Sequence, residues 1–290
     1  MFDALPAYVL RAQGKVLELS TPKVMGIVNV TPDSFSDGGC YNTVDSALAQ
    51  VQTMVNDGAT IIDIGAESTR PNAAKVSTAE ELSRLTPIVQ AVRHHFPALW
   101  LSIDTSTPEV MAQMARLGAD IWNDVRGLKR AGAKKLAAEL GLPVVVMHGR
   151  GEPDTMHALS TYADPITDIK NELQQLIGEA QYAGVQKSQI ILDVGMGFAK
   201  EFATHQALMR ELHSFMALGY PMLFGVSRKR FLGEVLATIG KDNSNPCARD
   251  NIGVTTALLA VQQGASIIRT HNVPATVEAL ALWQLLCNKH

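Results

Sequence analysis

The sequence predicts an α/β chain folded as a (β/α)8 or TIM barrel, on three observations. Eight short apolar runs recur along the 290 residues, most are separated by a helical stretch, and each run stops on a polar or charged residue. They read VMGIVN to Asn29, TIIDIG carrying Asp63, WLSID to Asp104, DIWND with Asn123, VVVMH to His148, IILD to Asp193, LFGVS to Ser227, and SIIRTH with Arg269 and His271. Short runs rich in Val and Ile and bounded by Gly, Pro or Asp read as buried parallel strands. Strand then helix, repeated eight times, suggests a closed barrel whose chemistry collects where the strands end. The polar stops then face one mouth.

Taken in order, residues 1–22 come first and hold RAQGKVLEL, which centres on Gly14 and alternates modestly. This reads as a hairpin that plugs the barrel's lower end and stabilises rather than catalyses. Residues 23–290 form the barrel, and the chain is expected to be one domain, because no Pro/Ser-rich linker or compositional shift divides it. The return helices announce themselves by caps. One covers residues 43–57 and ends at Gly58; Ser77 starts another with Glu80 three residues on; Thr107-Pro108-Glu109 is a cap followed by Pro at the first helical position. Two upper connections, residues 30–42 and 66–75, are long and dense in Gly, Ser, Thr, Pro and Asp, so they read as functional lids. Residues 149–164 are irregular too and lie at the mouth, while residues 241–251 read as a solvated connector.

Composition narrows the function classes. Net charge is −3 with Lys and Arg scattered, which leaves no footprint for nucleic acid or a membrane surface. Cys40, Cys247 and Cys287 lack CxxC or CxxH spacing, so neither a disulfide framework nor a zinc site is indicated, and a reducing cytoplasm is expected. No run reaches signal-peptide or membrane-spanning length.

Asp63, Asp104, Asn123 and Asp193 stand at four strand ends. Converging carboxylates and a carboxamide suit a flat heterocycle with a guanidine-like edge, which one carboxylate can receive bidentately. Each, taken alone, also reads as a helix cap. The cations Arg70, Lys229, Arg269 and His271 favour an anion, a diphosphate more than a carboxylate, since three come from the ends of the last two strands. Arg228 reads as a surface partner of Asp250 or Glu234, His148 equally as a strand-end residue or a satisfied core histidine with no catalytic part, and His94 with His95 as an exposed helix end.

The strings GIVNVTPDSFSDGG and IIDIGAESTRP, followed by SIDT, NDV, ILDVGMGF, GVSRK and RTH, resemble the dihydropteroate synthase family over residues 24–271. That resemblance implies a transferase of folate biosynthesis. It would join 6-hydroxymethyl-7,8-dihydropterin diphosphate to 4-aminobenzoate and release diphosphate, with Mg²⁺ as cofactor and a homodimer as the usual assembly. By position, Asp104, Asn123, Asp193 and Lys229 are implied to hold the pterin, with Asp63 supporting them. Asn29 and Asp37 are implied at the metal and the diphosphate, and Arg70, Arg269 and His271 at the diphosphate. Phe35, Thr69, Pro71 and Phe198 are implied around the aminobenzoate, with Arg230 near its carboxylate; Asp104, Lys229, Arg269 and His271 are the catalytic set.

Several positions depart from the family's usual wording: Val194, Ala199, Asn72, the segment Met147-His148-Gly149-Arg150-Gly151, Asn272 and Arg230. Ala199 stands in place of Gly and is costly only if its φ is positive. The departures around Gly149 and Ala199 motivate one alternative, a catalytically silent pterin-binding paralogue. A pterin-binding methyltransferase domain is a further alternative, against which the NVTPDSF string and the cation set both speak.

Overall fold

The computed structural model describes residues 5–30, 40–67, 76–152, 154–241 and 244–287, the side chains of 40–43 excepted. β1 (Val9–Ala12) and β2 (Lys15–Glu18) pair as the expected antiparallel hairpin. Its turn residues Gln13 and Gly14 both take positive φ, 49° and 75°, which matches the twist a two-residue hairpin turn needs.

The barrel then follows as β3 (Lys23–Asn29), α1 (Cys40–Asn56), β4 (Ile61–Gly65), α2 (Thr78–His95), β5 (Trp100–Asp104), α3 (Pro108–Arg116), β6 (Ile121–Asp124) and α4 (Ala133–Leu140). It continues as β7 (Val144–Met147), α5 (Pro165–Tyr182), β8 (Ile190–Asp193), α6 (Phe202–Glu211), β9 (Met222–Gly225), α7 (Arg230–Thr238), α8 (Asp250–Gln262), β10 (Ala265–Thr270) and α9 (Val273–Cys287). The eight strands from β3 to β10 are parallel neighbours in chain order, and β10 closes on β3. All eight apolar runs are strands, as the fold class required. His148, Ser227 and His271 lie just past their strand ends rather than in them.

Register decides what faces the barrel axis. Asp63 pairs with Ile27 and Ser102, Asp104 with Gly65 and Asn123, and Met147 with Asp193. Partners across a parallel ladder share a side, so the inward rows run from apolar residues low in the barrel to acids at the top. Val145 and Ile191 fill the lower part of these rows and are fully buried. Gly65 makes room at the rim: a Cβ there would stand 3.1 Å from Cβ of Asp104.

The hairpin docks on the lower rim. Gln13 Nε2 donates to the carbonyls of Ala115 and Ala119 at 3.1 and 3.3 Å, and Lys15 Nζ reaches Leu99 O at 2.9 Å. Asp120, whose side chain is fully buried, accepts from Lys15, from Arg93 at 2.8 Å and from Leu101 N at 2.9 Å. Leu10, Leu17 and Leu19 are buried in the core beneath.

Ser77 caps α2 through Glu80 N, as its spacing predicts. Thr107 precedes Pro108 at the start of α3, but its side chain makes no capping bond, because its Oγ1 accepts from Arg130 Nη1 at 2.6 Å. Among the described residues no helix is long and apolar enough to cross a membrane.

Candidate active site

The strand-end acids meet at the mouth around one guanidinium. Arg269, on β10, donates from Nε to Asp63 Oδ2 at 2.6 Å and from Nη2 to Asp104 Oδ2 at 2.7 Å. Asn123 Nδ2 bonds the same Asp63 oxygen at 3.0 Å. Four strands thus contribute to one hydrogen-bonded junction. Asp63 is fully buried, whereas Asp104 and Arg269 keep 14 % and 19 % of their side chains exposed, so they form its solvent side.

Burial and neighbouring charge set the protonation of this cluster. Burial pushes the Asp104 carboxyl up to about 7, against the pull of Arg269 and with the repulsion of Asp63. Burial also works against the charge of Arg269, yet Asp63 and Asp104 hold it above its ordinary value. Asp193, at the end of β8, is raised by burial and drawn back by Lys229 and by the amide of Gly195, which donates to its Oδ1 at 2.7 Å. Lys229 is lowered by burial to about 8, with Asp193 opposing the shift.

Lys229 is presented by a tight turn just ahead of α7. Its amide donates to Val226 O at 3.0 Å, and Arg228 takes φ of 62°. A bidentate bond from Arg228 to Asp250, at 2.8 and 2.9 Å, holds that left-handed residue; this is the bland pairing the sequence suggested. The Lys229 ammonium donates to Met196 O and stands 4.7 Å from the centre of the Phe198 ring. His271 follows β10, and both its amide and its Nδ1 lie within 3.1 Å of Ser227 Oγ.

An acidic floor able to receive several N–H donors, with cations on one side, is therefore in place. The pterin binding enzyme family matches residues 25–271. The chain belongs to that family. The dihydropteroate synthase of Haemophilus influenzae is 45% identical over 280 residues, 96% of this chain and 99% of that one. A solved structure of Xanthomonas albilineans dihydropteroate synthase with 4-aminobenzoic acid superposes with a TM-score of 0.90 at 40% identity, covering 98% of this chain and 100% of that one. The Yersinia pestis dihydropteroate synthase in complex with a sulfonamide drug gives 0.89 at 45% identity, covering 96% and 98%.

For this pterin-binding fold the structure brings together some of the residues named from sequence and leaves others apart. Asp63, Asp104, Asn123 and Arg269 are directly joined, and Asp193, Lys229 and Phe198 form a second, electrostatically coupled group beside them. Asn29 ends β3 opposite Gly65, half-buried at the same rim. Arg230 opens α7 with its side chain 85 % exposed, 3.6 Å from Glu234. Phe35, Asp37, Thr69, Arg70, Pro71 and Asn72 lie outside the described residues.

Sequence reasoning did not single out Lys200, Glu172 or His205 as part of the mouth, and it named Ser227 only as the polar stop of its run. Lys200 is buried beside His148, Glu172 receives both His148 and Arg150, and His205 Nε2 accepts from the Gly197 amide at 2.9 Å. The only signal was a lone Lys closing the glycine-rich string GMGFAK. Ala199 takes φ of 48°, so the costlier of the two cases foreseen for it holds. The same loop also packs tightly at Gly195, where a Cβ would overlap His148 O at 1.8 Å.

Proposed function

We propose that the chain is a dihydropteroate synthase, joining 6-hydroxymethyl-7,8-dihydropterin diphosphate to 4-aminobenzoate to give 7,8-dihydropteroate and diphosphate. The observation that carries this reading is the junction of Asp63, Asp104, Asn123 and Arg269 at one mouth. Asp104, Asn123 and Asp193 receive the N–H groups of the pterin, Asp63 backs them, and Lys229 reaches the ring's other edge. A carboxylate that meets a guanidine-like edge bidentately fixes the ring in plane. Orientation of the reacting methylene toward the amine then supplies much of the acceleration.

Departure of diphosphate leaves positive charge on the methylene, delocalised over the pterin and stabilised by the carboxylate of Asp104. The aminobenzoate nitrogen attacks that carbon, a carbon–nitrogen bond replaces the carbon–oxygen bond, and the amine sheds one proton. No protein nucleophile takes part. Arg269 uses two donors on Asp63 and Asp104, and a guanidinium has five, so it can face the diphosphate without leaving the acids. His271, Arg70 and Asn29 complete that grip, while Phe35, Thr69, Pro71 and Phe198 enclose the aminobenzoate and Arg230 serves its carboxylate.

Mg²⁺ belongs to the same proposal, held by Asn29 and Asp37. Asn29 offers a hard carboxamide oxygen at the rim, the donor type this ion takes. Among the described residues no three His, Cys, Asp or Glu side chains gather as a metal cluster, and an ion that binds through one or two protein oxygens plus phosphate needs none. When bound, it would neutralise charge on the departing diphosphate.

A homodimer and a cytoplasmic location complete the reading. Leu259 of α8 and Leu282, Leu285 and Leu286 of α9 are each about half exposed or more, and a second copy would cover them. Cys247 is exposed, a position at which a reducing compartment would keep it a thiol. The deciding experiment is diphosphate release with and without 4-aminobenzoate. Release that depends on the amine supports the synthase; pterin binding with no release overturns it. Sedimentation of the wild type and of Leu282→Glu tests the dimer.

A further inference from the structure

The connection between β8 and α6 carries Phe198, and a buried lysine anchors it from below. Lys200 keeps only 8% of its surface exposed. Its ammonium donates to Phe198 O at 3.0 Å and stands 2.9 Å from His148 Nδ1. An ammonium has donors only, so Nδ1 is the acceptor and the imidazole proton sits on Nε2. Nε2 then donates to Glu172 Oε2 at 3.0 Å, and Glu172 is gripped in turn by Arg150. Burial, together with the charge of Lys200, lowers His148 to about 4, which keeps it neutral and able to accept. The loop is tied elsewhere by Tyr162 Oη on Ala199 O at 2.8 Å and by the Gly197 amide on His205.

We propose that Lys200 is a positioning residue of the pterin site: clamped by His148, it fixes the backbone under Phe198 and sets a positive charge beside Asp193, so that Asp193 meets the ring as a carboxylate. This rests on the pterin-site reading above. The charged and titratable groups facing Lys200 are Asp193 on β8, Lys229 ahead of α7, Glu172 on α5, Arg150 on the β7–α5 connection, His148 after β7 and His205 on α6. Those facing Asp193 are Lys229, Lys200 and Arg269. Burial brings Lys200 down to about 7, so in the acid range, where a carboxyl takes up its proton, the ammonium is charged.

The test is calorimetric binding of 6-hydroxymethylpterin, which lacks the diphosphate, across the acid pH range. Wild type, Lys200→Met, Lys200→Gln and Lys200→Arg are compared. Removing a nearby cation raises a carboxyl pKa, so the acid limb of binding should move up by about one pH unit in Lys200→Met and return in Lys200→Arg. The aminobenzoate KM of Lys200→Met should rise several-fold, more than kcat falls, because Phe198 loses its support. Lys200→Gln keeps donors for both Phe198 O and His148 but no charge, so it covers the case in which the Met variant does not fold. A folded Gln variant with an unmoved acid limb overturns the proposal, whatever its melting temperature. Wild-type protein that fails to bind the pterin at every pH overturns the pterin-site reading instead.

Discussion

Arg269 bridges two carboxylates that are otherwise forced together: its Nε meets Asp63 at 2.6 Å and its Nη2 meets Asp104 at 2.7 Å. Two acids inside a barrel repel and lose hydration, and a planar guanidinium answers both with one side chain. The same pairing leaves the remaining N–H groups of Arg269 for an anion. One residue thus ties the acidic half of the site to its cationic half.

Removing Arg269 should therefore cost stability as well as activity. In Arg269→Met the two acids face each other without compensation, and loss of one partner from a buried ion pair typically costs about 3–5 kcal/mol. Urea unfolding without ligand should show that loss. Arg269→Lys keeps the charge but not the fork, so it should recover part of the stability and little of the turnover. A Met variant as stable as wild type would remove the bridge from the argument.

Asp104 makes stability depend on pH in a definite sense. Its carboxyl is raised from 3.8 to about 7, chiefly by burial, so the folded chain holds a proton that the unfolded chain has released. That contribution is fully present below about pH 4 and is lost as pH rises through about 7. Asp104→Asn cannot titrate. Its stability relative to wild type should therefore increase between pH 4 and pH 7, as read from urea midpoints. A constant difference across that window would mean that Asp104 is already ionised in the folded chain.

The strands were legible because each apolar run is short and stops on a polar residue, and one-sided register then forces Asp63, Asp104 and Asn123 to the same rim. What could not be read is which groups touch. Asp63 and Arg269 are separated by 206 positions, and only barrel closure between β10 and β3 brings them together. Lys200 sits in a loop without periodicity, so no pattern announces a buried ammonium. Asp120 reads as the start of a strand run, yet its burial under Lys15 and Arg93 appears only once the hairpin is docked. Thr107 has the sequence of a helix cap but spends its hydroxyl on Arg130.

Asp120 should separate stability from catalysis. It accepts from Lys15, Arg93 and Leu101 N on the face opposite the mouth. Asp120→Ala should lower stability by about 3–5 kcal/mol, since two cations lose their buried partner. At a temperature where the variant stays folded, kcat and both KM values should match wild type. Altered kinetics there would show that the lower rim communicates with the mouth.

Ala199 carries a left-handed backbone in the loop that also holds Phe198, with φ of 48° and a side chain almost wholly buried. Ala199→Gly relieves about 1–2 kcal/mol of strain. It also loosens the unfolded chain and removes a buried methyl, so the net change should stay within about 1 kcal/mol. Ala199→Val should be much worse, because a β-branched residue at positive φ is a steric outlier. Thermal melts of both variants, with aminobenzoate KM alongside, check this. A Val variant as stable as wild type would show that the loop relaxes freely.

Asp250 should act on Lys229 from a distance. Its two oxygens hold Arg228 in a left-handed conformation, and that turn aims the next residue, Lys229, at Met196 O and the Phe198 ring. Asp250→Ala frees a side chain that lies partly in solvent, so stability should fall by only about 1 kcal/mol. The effect on the site should be larger in proportion. An unpinned turn lets Lys229 sample orientations away from Met196 O and the Phe198 ring, and a small misplacement of a positioned group is expensive in rate. Turnover per pterin substrate bound should drop about tenfold, while binding of 4-aminobenzoate analogues that avoid Lys229 changes little. Arg228→Gly tolerates the same backbone angle without the ion pair, so it should reproduce the kinetic loss of Asp250→Ala. If Asp250→Ala is impaired and Arg228→Gly is not, the ion pair is incidental and Asp250 acts by another route.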